Sequence, residues 1–130
     1  SMNYLLSTEE IFAMFRCIKE ALAEDGVAIL DMKTAYCFQK VMGNQTRVDE
    51  TEEALMIWDN TYDEETCINE YLLTIFTEDK ATGMYARYDE CHEQRAYTED
   101  EIKSCLKETS LRLVKSWTED EVRTYFVIQR

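Results

Sequence analysis

Six residues, Val27-Ala28-Ile29-Leu30-Asp31-Met32, constrain the fold of this chain more than any other stretch. They are apolar on both faces until Asp31. A strand of that kind belongs in the middle of a sheet covered by helices. The helix in front of it is well marked. Ser7-Thr8-Glu9-Glu10 is a capping box, in which the Ser7 hydroxyl accepts from the Glu10 amide and the Glu10 carboxylate reaches back. Ile11, Phe15, Ile18 and Leu22 then recur at helical spacing, with Met14 and Ala21 widening the stripe. Asp25-Gly26 is expected to end the helix, the glycine supplying a left-handed exit. Ser1-Met2-Asn3-Tyr4-Leu5-Leu6 reads as the exit from an earlier strand. Strand exit, helix and strand make the second half of an α/β unit. The expected neighbour of 27–32 would come from upstream sequence.

Composition narrows the class. The 130 residues fit one compact domain, and 45% hydrophobic residues are enough for a core. The net charge of −13 repels phosphates, which excludes nucleic acid and anionic membranes as partners. Its simplest meaning is solubility; a basic partner or a cationic substrate is the alternative. Cys17, Cys37, Cys67, Cys91 and Cys105 are odd in number and contain no CxxC pair, so reduced thiols in a cytoplasmic protein are expected. No apolar run approaches the ~20 residues of a membrane span, and no signal peptide is expected.

Further along, residues 35–43 read as a short helix or irregular turn, and the polar stretch 46–53 as a loop. From Ala54 the period changes to two. Residues 54–62, 66–77 and 84–95 form a three-stranded antiparallel meander, joined by Asp63-Glu64-Glu65 and by Glu78-Asp79-Lys80-Ala81-Thr82-Gly83. Both faces of its middle strand are partly apolar, so the sheet is expected to pack on something. Thr98-Glu99-Asp100-Glu101 is a second capping box, opening a helix with Ile102, Cys105 and Leu106 inward. Strands at 111–117 and 122–129 close the chain.

Few residues stand out as chemistry. His92 is the single histidine; with Arg95, Tyr97 and Trp58 it can form a polar and aromatic patch on the meander, and strand alternation puts Tyr88, Glu90 and His92 on one face. The plainer expectation is a surface histidine and cross-strand packing of Trp58, Tyr62, Tyr71, Tyr85 and Tyr88. Asp31 ends its strand at the carboxyl end, where open α/β sheets bind ligands, and can orient an amine or a hydroxyl; a carboxylate bonded to loop amides is the alternative. Cys91 and His92 are adjacent and diverge, and no second pair sits at zinc spacing, so no metal site is expected.

The order of elements, with Asn3-Tyr4-Leu5-Leu6-Ser7 before an acidic cap, the junction from Ala21 to Asp31, and His92-Glu93-Gln94-Arg95-Ala96-Tyr97-Thr98 after the meander, resembles the C-terminal half of class I S-adenosylmethionine-dependent methyltransferases. The resemblance implies an α/β fold, α+β as a fragment. Residues 1–34 and 98–130 would be part of a Rossmann-like sheet, and 54–97 an inserted antiparallel meander lying over a small-molecule substrate. It further implies Asn3 and Tyr4 near the cofactor, Asp31, Trp58 and Tyr88 on the substrate side, and His92, Arg95 and Tyr97 as catalytic candidates. For Asn3 and Tyr4 the alternative is a frayed terminus.

One departure matters. The family holds its cofactor with a glycine-rich turn and an acidic residue after the first two strands. Gly26, Gly43 and Gly83 are isolated, so this stretch alone is expected to bind no S-adenosylmethionine. Two other classes compete with the enzyme fragment: a non-catalytic assembly module on the same scaffold, and an acidic domain that binds a basic protein. Whatever the function, the apolar edge of 27–32 is expected to pair with a second copy and give a homodimer.

Overall fold

The computed structural model describes residues 2–130. Helix α1 (Thr8–Ala21) starts on the expected capping box: the Ser7 hydroxyl accepts from the Glu10 N–H, and the Glu10 carboxylate accepts from the Ser7 N–H. It ends earlier and differently from the sequence expectation. Leu22 is extended, its N–H still bonded to the Ile18 carbonyl, and Gly26 is not left-handed. Gly26 is there for closeness instead: a Cβ would lie 2.9 Å from the Ala23 carbonyl oxygen. The N-terminal segment, read as a strand exit, is a turn in the described residues. Residues Met2–Tyr4 form a 3-10 turn, and Ser1 lies outside the described residues.

Strand β1 (Val27–Lys33) pairs antiparallel with β7 (Arg123–Gln129), which pairs antiparallel with β6 (Arg112–Glu119), so the sheet order is β1-β7-β6. Helices α1 and α2 (Glu99–Thr109) lie against each other over one face. Ile11 and Phe15 from α1 and Ile102 and Leu106 from α2 meet Met32, Phe126 and Ile128 there, each at most 2% exposed. The opposite face differs from the expectation of a strand covered on both sides. Val27 and Ile29 are exposed on it, as is Val114. The apolar character on both faces of β1 therefore exceeds what these residues themselves cover.

The second sheet has the order β2-β3-β4-β5, all antiparallel: β2 (Gln45–Glu50), β3 (Ala54–Asp63), β4 (Ile68–Asp79) and β5 (Met84–Arg95). The meander is as expected, with β2 added where a loop was expected. Every side chain of β2 is exposed, so no apolar alternation marks it, and only its backbone ladder to β3 makes it a strand. The π-helical turn Cys37–Met42 buries Phe38, which stacks on Tyr62 at 5.8 Å to form a second, smaller core with Ala96. Gly43, left-handed at φ +63°, lets the chain leave this turn into β2. The two sheets thus meet where β1 ends, the turn begins and β5 returns.

Candidate functional site

The N-terminal turn is locked at that junction. Asn3 is fully buried, and its amide donates to the carbonyls of Lys33 and Arg95 at 3.0 and 2.9 Å while its oxygen accepts from the Lys33 N–H at 2.8 Å. The frayed terminus considered from sequence is overturned by these bonds. They fix the carboxyl end of β1 against the carboxyl end of β5 and aim the next residue, Tyr4, at the face of the second sheet.

That face carries an aromatic ladder. Strand register places Tyr71 of β4 directly opposite His92 of β5, and their rings stack at 4.7 Å and 11°. Trp58 of β3 lies on the other side of Tyr71 at 4.9 Å. The Tyr4 hydroxyl reaches the Tyr71 hydroxyl at 2.6 Å and His92 Nδ1 at 3.4 Å. His92 Nε2 is 2.8 Å from a Glu90 carboxylate oxygen. Burial, reinforced by the bond to Tyr4, raises the Tyr71 phenol above its ordinary range, so it stays protonated and available as a donor.

Trp58 also borders a cleft of about 320 Å³ between β1, the π-helical turn and the second sheet, lined by Lys33, Cys37, Met42, Arg47 and Asn60. Its walls are held by side-chain bonds. Asn60 and Asn69 exchange amide bonds of 2.9 Å in both directions, and Asn60 also donates to the Gly43 carbonyl. Lys33 donates to Gln94 and sits over the Phe38 ring. Burial lowers the Lys33 ammonium and raises the Cys37 thiol, each partly offset by the other's charge. Arg47 bonds the Val41 carbonyl, leaving a second cation at the mouth. A cleft with aromatic, cationic and amide walls and one carboxylate, Asp49, at the carboxyl end of a strand can hold a polar organic molecule with a ring.

The sequence candidates divide at this point. His92, Trp58 and Tyr4 come together, joined by Tyr71 and Glu90. Arg95 and Tyr97 do not join them. Arg95 donates to the Leu6 carbonyl and Glu101 and covers the Tyr97 ring at 4.8 Å, while the Tyr97 hydroxyl donates to the Leu5 carbonyl. Burial pushes Tyr97 up to about 12. Both hold the N-terminal segment in place. Asp31 takes neither expected role; it pairs with Arg123 across the β1–β7 ladder. Tyr88 is exposed, paired with Ile75 four residues up the strand from His92, about 13 Å away at strand rise. Tyr71 was legible only as packing, although its position opposite the single histidine follows once the turn at 79–83 sets the register.

An open sheet end, a second sheet folded across it and a polar aromatic cleft between them are features that ligand-binding sides of α/β folds share. In sequence the chain is similar to curated putative methyltransferases, and in fold to S-adenosylmethionine-dependent methyltransferases, over about half the length of each. It is 30% identical to a curated "putative methyltransferase" of Geobacillus sp. strain WCH70, over all of this chain and 56% of that protein. It is 25% identical to a second so named, YqeM of Bacillus subtilis strain 168, over 87% of this chain and 45% of that one. The chain thus spans about half the length of the curated relatives it matches. Among solved structures, an S-adenosylmethionine-dependent methyltransferase from Clostridium acetobutylicum superposes with TM-score 0.86 at 25% identity, over 99% of this chain and 54% of that one. A sugar N-methyltransferase from Streptoalloteichus sp. shares the fold, with TM-score 0.74 at 14% identity, over 99% of this chain and 52% of its own. No family model matches the sequence.

Proposed function

We propose that these residues form the acceptor-binding half of a small-molecule methyltransferase, with the sheet β2–β5 as the lid over the substrate. The observation that carries this reading is the cleft itself, which lies at the carboxyl end of β1 under the second sheet and is bordered by Trp58. The uncovered face of β1-β7-β6 supports it from another side. Val27, Ile29 and Val114 are apolar and exposed there, as a central sheet would be without its second layer of helices.

The residues present do not make a cofactor site. The Asn3 amide, which the resemblance would put near the cofactor, is bonded to backbone at Lys33 and Arg95, and none of the three glycines lies in a glycine-rich turn. The cofactor is held by residues outside these 130, and this stretch alone is inactive. What it contributes is binding and orientation of the acceptor, the largest component of catalysis open to such a surface. Five unpaired cysteines fit work in the reducing cytoplasm.

The test is to fuse the 130 residues behind the half of the Geobacillus relative that they do not match and to titrate S-adenosylmethionine by calorimetry. The fusion is expected to bind at micromolar concentration and the 130 residues alone to give no heat. Micromolar binding by the 130 residues alone would overturn the division of labour.

A further inference from the structure

Three charged side chains line the cleft beside Trp58, and none of them pairs with another. Lys33 donates to Gln94 and lies over the Phe38 ring, with no carboxylate in ion-pair contact among the described residues. A half-buried ammonium without a counter-ion is costly, and the chain has 27 carboxylates from which to supply one. Arg47 and Asp49 stand two residues apart on one face of β2. The same spacing on β5 gives an ion pair, in which Arg87 meets Asp89 at 2.9 Å. On β2 it does not. Arg47 reaches instead to the Val41 carbonyl in the π-helical turn, and Asp49 makes no side-chain hydrogen bond or ion pair among the described residues.

The geometry points to a zwitterionic acceptor: a ring compound with an anionic group at the turn end of the cleft, against Lys33 and Arg47, and an amine at the far end, against Asp49. The assignment rests on the reading of this cleft as the acceptor site. Strand β2 sets the two ends. Its first residue, Gln45, donates to the Met42 carbonyl and so begins at the turn. Asp49 lies four residues on, about 13 Å away at strand rise. Arg47 stands between them, but its guanidinium is drawn to the turn end by Val41 and keeps further N–H donors for an anion there. Trp58 is directly opposite Arg47 in the β2–β3 ladder, and Met56 opposite Asp49. The indole is thus the platform between the poles, where a ring can stack. Burial lowers the Lys33 ammonium, so a bound anion has a charge to restore at that end. Asp49 sets what the cleft rejects, because an acceptor with an anion at both ends meets a carboxylate at the rim.

The chain has two tryptophans, so Trp117→Phe leaves Trp58 as the one indole reporter, and its fluorescence follows occupancy of the cleft. Three probes separate the charges at low ionic strength: para-(aminomethyl)benzoate, para-methylbenzoate and para-methylbenzylamine. The zwitterion is expected to change the Trp58 signal at a concentration about fivefold lower than either singly charged probe. Replacing both cations, Lys33→Gln with Arg47→Gln, should bring the zwitterion to the level of the amine. Asp49→Asn should bring it to the level of the benzoate, and this residue is exposed, so its replacement leaves folding intact. Equal response to all three probes, no response to any, or a preference unmoved by Asp49→Asn would overturn the assignment. The fusion described above separates this from the reading beneath it. A fusion that binds S-adenosylmethionine while the cleft shows no charge preference overturns the zwitterion alone. A cleft that prefers the zwitterion in a fusion that binds no cofactor upholds the charge assignment and overturns the acceptor reading.

Discussion

Asn3 joins the N-terminal turn to β1 and β5 through one side chain, and its replacement has a predictable cost. Asn3→Leu keeps the volume but leaves the Lys33 N–H and two carbonyls unpaired in a buried place. The expected loss is about 3 kcal/mol, a fall in Tm of roughly 10 °C. Asn3→Asp can still accept from Lys33 but cannot donate, and should also destabilise. A Tm within about 2 °C of the parent for both would refute the assignment. Three buried phenols give the protein an alkaline limit. Tyr62 and Tyr97 are pushed up to about 12, mainly by burial, and Tyr71 is raised too. The folded state therefore keeps protons that the unfolded chain releases near pH 10, so this contribution is complete below pH 10 and is lost as pH rises toward 12. Thermal melts between pH 9 and 11 check it. Tm should fall across that window, and less steeply in Tyr62→Phe, whose hydroxyl lies beside Cys67.

At the scale of elements, the two capping boxes set where α1 and α2 begin. Ser7→Ala and Thr98→Ala each remove a bond to the amide three residues on, and each should cost about 1 kcal/mol in urea unfolding. Equal stability of both variants with the parent would contradict the caps. Such local signals were the legible part of the sequence. Both boxes and the span of β5 were read correctly, because a hydroxyl three residues before a glutamate and a period of two are written within a few positions. β2 was missed because an exposed edge strand has no apolar face to display. The anchoring role of Asn3 was missed for another reason: its partners are 30 and 92 residues away, and nothing local distinguishes a buried amide from a frayed one. His92 and Trp58 were legible as an aromatic patch. That Tyr71 lies between them, and that Arg95 turns away to Leu6 and Glu101, depends on register and on the packing of the N-terminal segment.

On the scale of the whole molecule, the two sheets divide the work: β1-β7-β6 with its helices is the base, and β2–β5 is the wall that carries the ladder. The base has an outer edge at β1 with no strand beyond it among the described residues, and apolar Ile29 is 67% exposed there. We propose that in isolation this edge pairs with a second copy. Sedimentation of the 130 residues at tens of micromolar should show a dimer, and Ile29→Lys should return it to monomer. A parent that stays monomeric would show that the edge is tolerated bare. In the fusion the same edge is taken by the cofactor-binding half, so the fusion should not dimerise through it. The central claim, that these residues supply the acceptor side and take their cofactor from elsewhere, is tested most directly by S-adenosylmethionine titration of the isolated chain and the fusion side by side. No heat is expected from the first and micromolar binding from the second; micromolar binding by the isolated chain would contradict the claim.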